Sequence, residues 1–86
     1  MTSKERAYLI KLSSNLSPVF QLGKEGFTPE VTKALLEVLE ARELIKINIL
    51  KNSPEDPKEV ARLIAERTSS ELVQVIGRKA VLYKPN

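Results

Sequence analysis

The chain has 86 residues, 42% of them apolar, and a formal net charge of +3 from 14 basic and 11 acidic side chains. That length and apolar share fit one domain, residues 1–86, around one small core, and the mildly basic balance allows an RNA partner without demanding one. Cysteine and histidine are both absent, which excludes disulfide staples, zinc sites built on those residues, and Ser–His or Cys–His nucleophilic machinery.

Thr2-Ser3-Lys4-Glu5 has the S/T-x-x-E form of a capping box, so a helix is expected from there to about Ser13. Tyr8, Leu9 and Leu12 share one face of it and are expected to bury, Tyr8 as a core residue; Lys4, Ala7 and Lys11 share another. Asn15 to Pro18 reads as a turn and Val19 to Leu22 as a short apolar strand. Thr28-Pro29 then starts a second helix, with threonine as the cap and proline in the first turn, where its missing amide costs nothing. Val31, Ala34, Leu35 and Val38 form its buried stripe, and Glu30, Lys33, Glu37 and Glu40 give an acidic outer face ill suited to RNA.

From Leu44 to Leu50 the period changes to two, with Ile45, Ile47 and Ile49 pointing one way, which predicts a strand. Asn52 to Asp56 is a loop, and Asp56-Pro57 opens a third helix that turns Val60, Leu63 and Ile64 inward and Lys58, Arg62 and Glu66 outward. Glu71 to Ile76 and Lys79 to Tyr83 read as two strands joined by a tight Gly77-Arg78 turn, and Pro85 stops the last one. Strands separated by helices imply parallel pairings, and the terminal hairpin is antiparallel. The expected architecture is therefore α/β: a compact two-layer α-β-α-β-α-β-β with a four-stranded mixed sheet. One sheet face is expected to carry Gln21, Lys46, Asn48 and Gln74, either as a solvated surface or as a platform for RNA, with Phe20 and Tyr83 as the available stacking rings.

Gly23-Lys24-Glu25-Gly26 lies between the first strand and the second helix. Two glycines around a lysine at a helix mouth let a backbone approach phosphate: glycine accepts positive φ and adds no side chain, and a helix start offers amide hydrogens and partial positive charge. Lys24 is the first candidate for a phosphate contact. Thr28 is expected to act as a cap first and a ligand second. Lys4, Arg6 and Lys11 on the first helix, and Arg78 and Lys79 at the hairpin tip, could extend a basic surface or be ordinary surface charges. The sequence does not say whether they adjoin the loop.

Four stretches in order, Lys4-Glu5-Arg6, Pro18 to Gly26, Leu44-Ile45-Lys46-Ile47, and Val73 to Arg78 running into Val81-Leu82-Tyr83-Lys84, resemble the YhbY family, the single-domain bacterial members of the CRM (chloroplast RNA splicing and ribosome maturation) group. The resemblance implies a fold like the C-terminal domain of translation initiation factor 3. It also implies a non-enzymatic RNA-binding protein associated with precursors of the large ribosomal subunit, with the GxxG loop, here Gly23, Lys24, Glu25 and Gly26, contacting RNA. Glu25 departs from this by placing an acid in the loop, and Lys84, a further candidate RNA contact, stands where the family often has arginine, which contacts phosphate more directionally. A protein–protein adapter on ribosomal particles is the alternative. An enzyme is not expected: Gly23 to Thr28 lacks the G-x-x-x-x-G-K-[ST] spacing, and no carboxylate pair is poised for acid–base work. No cofactor or metal is implied. No stretch approaches the roughly 20 apolar residues of a membrane span, and charges interrupt the first fourteen positions, so a cytoplasmic location is expected.

Overall fold

The three helices begin at the capping signals read above. The computed structural model describes residues 1–86, and α1 spans Ser3–Ser13, α2 Pro29–Arg42 and α3 Pro57–Thr68. At α1 the capping box is complete: the Thr2 amide donates to Glu5 Oε1 at 2.7 Å and the Glu5 amide to Thr2 Oγ1 at 3.1 Å. Thr28 and Asp56 accept from the Val31 and Glu59 amides, and a proline follows each cap. These bonds satisfy first-turn amides that otherwise lack intrahelical partners.

The strands are β1 (Phe20–Leu22), β2 (Leu44–Ile49), β3 (Glu71–Ile76) and β4 (Lys79–Tyr83), ordered β1-β2-β4-β3 in one sheet. Only β1 and β2 pair in parallel; β4 runs antiparallel to both β2 and β3. The expectation that successive strands pair across each helix thus holds for β1–α2–β2 and not for β2–α3–β3. After α3 the chain passes over one strand position, and β4 folds back into the gap. Gly77, at φ +58, supplies the positive φ that a two-residue hairpin with glycine first requires.

Alternation in β2 sends Ile45, Ile47 and Ile49 into the main core, where they meet Leu22, Ala80 and Leu82 from the sheet, Leu35 and Leu39 from α2, and Val60, Ala61 and Ile64 from α3. Each fully buried Leu or Ile here contributes about 1.5–3 kcal/mol through apolar surface removed from water. The α2 stripe includes Leu39, which the sequence reading omitted, and in α3 Ala61 is fully buried while Leu63 is only partly so.

The mixed sheet with α2 and α3 on one face is the expected sandwich, and α1 adds a partial third layer on the other face. There Leu9 packs with Val73 and Val81 and is flanked by Ile10, Leu44 and Tyr83. The buried edge of α1 is Arg6-Leu9-Ile10-Ser13, a one-step rotation from the Tyr8-Leu9-Leu12 face expected from sequence. Tyr8 is 62% exposed, not a core residue. Two polar residues occupy that edge because they bond to backbone: Ser13 Oγ donates to the Ile10 carbonyl, and Arg6 Nη1 donates to the Leu72 and Val73 carbonyls at 2.7 Å each. Those two carbonyls lie at an irregularity in β3, where the register shifts between Leu72 and Gln74.

Candidate nucleic-acid interface

Gly23 to Gly26 forms a closed turn: the Gly26 amide donates to the Gly23 carbonyl at 3.0 Å. Lys24 and Glu25 take the two central positions and are exposed. Their amides donate to no backbone carbonyl, so the tip presents two N–H groups and one ammonium to solvent.

The two glycines serve different purposes. Gly26 is buried at φ +73, and a Cβ on it would lie 2.7 Å from Glu55 Oε2 and 3.1 Å from Pro54 Cγ. Gly23 has no positive φ, and its Cβ would meet Leu50 Cδ1 at 3.6 Å and Asn52 Oδ1 at 3.9 Å, both ordinary contacts.

Glu55 is the residue the sequence reading missed. Its carboxylate accepts from the Phe27 amide at 3.2 Å and from Ser53 Oγ at 3.0 Å, so the β2–α3 loop holds the base of the glycine turn. No motif signals this role, because Glu55 lies 28 positions from Phe27. At the helix mouth the Phe27 amide donates to Glu55 and the Val31 amide to Thr28, while the Thr28 and Glu30 amides have no acceptor within the protein. The tip of the turn adds the Lys24 and Glu25 amides to these free donors. Thr28 is the α2 cap, as expected.

The sheet register brings other candidates to the same end. Leu22 aligns with Ile49 across β1 and β2, and Asn48 with Lys79 across β2 and β4. The glycine loop, the end of β2 and the β3–β4 tip therefore share one edge of the molecule. The Leu50 amide donates to the Leu22 carbonyl and the Ile49 amide to the Arg78 carbonyl. Arg78 in turn donates Nε to Ile49 O and Nη2 to Leu50 O, both at 2.8 Å. Much of the Arg78 guanidinium is thus committed to fastening the hairpin tip. Lys79 remains exposed there, as does Lys51, which follows β2 and was not singled out in the sequence.

The remaining candidates are placed elsewhere. Lys84 sits past the far end of β4, with Nζ donating to the Thr68 carbonyl at 2.6 Å where α3 ends. Met1 and Glu5 line a cleft with Tyr83 and Lys84, so the start of α1, including Lys4, belongs to that far end. Lys11 is exposed in the last turn of α1, nearer the loop end, and Arg6 is held by the β3 carbonyls.

Gln21, Lys46, Asn48 and Gln74 do share one face, the one α1 partly covers. Neither expected stacking ring stands open on it: Phe20 packs against the main core and Tyr83 against the Leu9 cluster. The Glu5 carboxyl is held below its ordinary value of 4.5, first by the Thr2 amide and then by the Thr2 hydroxyl. No group of His, Cys, Asp and Glu side chains could hold a metal ion, and no helix is long and apolar enough to cross a membrane.

The family model for the CRS1 / YhbY (CRM) domain matches residues 1–84. The chain belongs to that family. This CRM chain is 43% identical to a Bacillus subtilis (strain 168) protein named probable RNA-binding protein YqeI, over 98% of this chain and 88% of that one. It is 31% identical to a Haemophilus influenzae protein named RNA-binding protein, over 100% of this chain and 87% of the other. The solution structure of the hypothetical protein SAV1595 from Staphylococcus aureus superposes with a TM-score of 0.84 at 44% identity, covering 100% of this CRM chain and 90% of that one. Both relatives carry RNA binding in their names.

Proposed function

We propose that this CRM domain binds RNA by its backbone through the tip of the glycine turn, and that its target is ribosomal RNA in precursors of the large subunit. The observation that carries the reading is the exposed Lys24-Glu25 tip, whose amides have no backbone acceptor, on a closed turn anchored at its base by Glu55. Amides and an ammonium in that arrangement suit phosphate oxygens. Lys51 and Lys79 at the same end extend the positive surface, and Glu25 tempers it. Such contacts position the domain without reading sequence, so selectivity comes from the shape of folded RNA. Membership of a family whose named relatives are RNA-binding proteins supports the same reading.

The adapter alternative would use a sheet edge to accept a partner strand. β3 and β1 are the two edges, and two of the β3 carbonyls are already taken by Arg6, which disfavours β3 and leaves the three-residue β1 for that role. Binding of purified protein to protein-free large-subunit ribosomal RNA, measured across a salt series, separates the two readings. The wild type is expected to bind, and Lys24→Glu to bind more weakly with a log–log salt slope flatter by about 0.7–0.9. Equal binding by Lys24→Glu at every salt concentration removes the loop from the interface. Binding only to particles that contain ribosomal proteins favours the adapter.

A further inference from the structure

Beyond the end of α1, on the sheet face it leaves uncovered, lies a cleft of about 280 Å³. Its walls include Ile10 from α1 and Ser14 from its C-cap, Lys46 from β2, Gln74 and Ile76 from β3, and Lys79 from β4. None of its eight lining residues is acidic, although acids make up 11 of the 86 residues in the chain. The register explains the assembly: Lys46 and Gln74 both face Val81, while Ile76 and Asn48 both face Lys79. The cleft therefore opens toward the loop end, with Asn48 and Gln21 continuing the same row across to β1.

We infer that this cleft takes an unpaired nucleotide of the RNA whose backbone the glycine turn holds; the inference rests on the RNA-binding reading above. A duplex cannot enter a gap between a helix end and a sheet, whereas a single base can. The polarity of the walls sets the orientation. The end of α1 carries the partial negative charge of a helix C-terminus, and the Ser14 hydroxyl already donates its proton to the Lys11 carbonyl at 2.7 Å. Lys11 in the same turn offsets that charge, so the wall orients a nucleotide by its acceptors: the base with its amino groups, or a ribose hydroxyl, lies toward α1. The Lys46 and Lys79 ammonium groups hold the phosphates on the opposite side. Ile10 and Ile76 provide the apolar contact for the base plane, and Ile76 is 63% exposed, a large apolar side chain left open to solvent beside two lysines. The Gln74 amide carries both a donor and an acceptor for a base edge.

Equilibrium binding of oligo(A), oligo(U) and a mixed-sequence RNA duplex to the full chain tests this. Lys46→Gln should lower the log–log salt slope on the single strands by about 0.7, one contact, and leave the duplex slope in place. Ile76→Ser should weaken single-strand binding with no change of slope, because it removes no charge. Lys24→Glu should weaken binding to all three RNAs. If the cleft variants bind single strands like the wild type while Lys24→Glu is impaired, the cleft is refuted and the loop reading stands. Equal losses on duplex and single strands also refute it. If the wild type binds none of the RNAs, both readings fall together. Urea unfolding of each variant confirms that a loss reflects binding and not folding.

Discussion

Replacing Gly26 by alanine sets two costs on one atom. An alanine at φ +73 costs about 1–2 kcal/mol for left-handed backbone alone. Its Cβ would also stand 2.7 Å from Glu55 Oε2, closer than real Cβ contacts allow, so the carboxylate must move. Moving it weakens the bonds from Phe27 and Ser53. Bonds to a charged acceptor contribute about 1.5–3 kcal/mol when well formed, and the lower end applies at this partly buried site. The sum is about 2–4 kcal/mol, a large share of the roughly 5–15 kcal/mol that stabilises a typical domain. Gly23→Ala meets only ordinary contacts and has no positive φ to accommodate, so it should be neutral or stabilising by up to about 1 kcal/mol, through a less flexible unfolded chain. Urea unfolding of both variants reads the difference as a shift in midpoint at constant slope. A cycle with Glu55→Ala isolates the clash: in that background the cost of Gly26→Ala should fall to the backbone cost plus a squeeze against Pro54. Equal stability of the two glycine variants, or additivity in the cycle, would refute the assignment of Glu55 as the anchor of the turn.

Arg78→Met keeps the aliphatic stem and removes both bonds to the Ile49 and Leu50 carbonyls; it should cost about 1–3 kcal/mol and speed amide exchange at Ile49 and in the hairpin tip. Lys84→Met should lower stability by cutting the bond to the Thr68 carbonyl while leaving RNA affinity and its salt slope unchanged, since Lys84 lies at the far end. For Glu5 the folded carboxyl titrates below its ordinary 4.5. Its capping contribution is therefore complete above that value and is lost as pH falls through the lower folded value. The protection of first-turn α1 amides, taken relative to their intrinsic exchange at each pH, should fall over that acid range, and Glu5→Gln should remove this pH dependence.

Helix starts were the most legible part of the fold because their signals are local. Thr2 with Glu5, Thr28 with Pro29, and Asp56 with Pro57 each act within one turn, and all three form as the residue types require. The alternation of Ile45, Ile47 and Ile49 was equally direct. The insertion of β4 between β2 and β3 was not, because strand order depends on long-range pairing and no residue in β4 encodes its neighbours. The face of α1 was misjudged for a related reason: Leu9 belongs to two possible stripes, and only the β3 carbonyls that receive Arg6 decide between them. Arg6 and Arg78 read as RNA contacts or surface charges and Lys84 as an RNA contact, yet each donates to backbone carbonyls distant in sequence. Lys24 and Lys79, by contrast, stay exposed where the local pattern put them. Glu55 stayed hidden because the partner it holds is on another loop.

The most direct test of the account is ultraviolet crosslinking of the protein to protein-free large-subunit ribosomal RNA, followed by mass-spectrometric mapping of the attached residues. Crosslinks are expected between Gln21 and Thr28 and around Lys51 and Lys79, the end of the sheet where the glycine turn and the hairpin tip meet. Crosslinks confined to Lys4, Tyr83 and Lys84 would place RNA at the opposite end and contradict it.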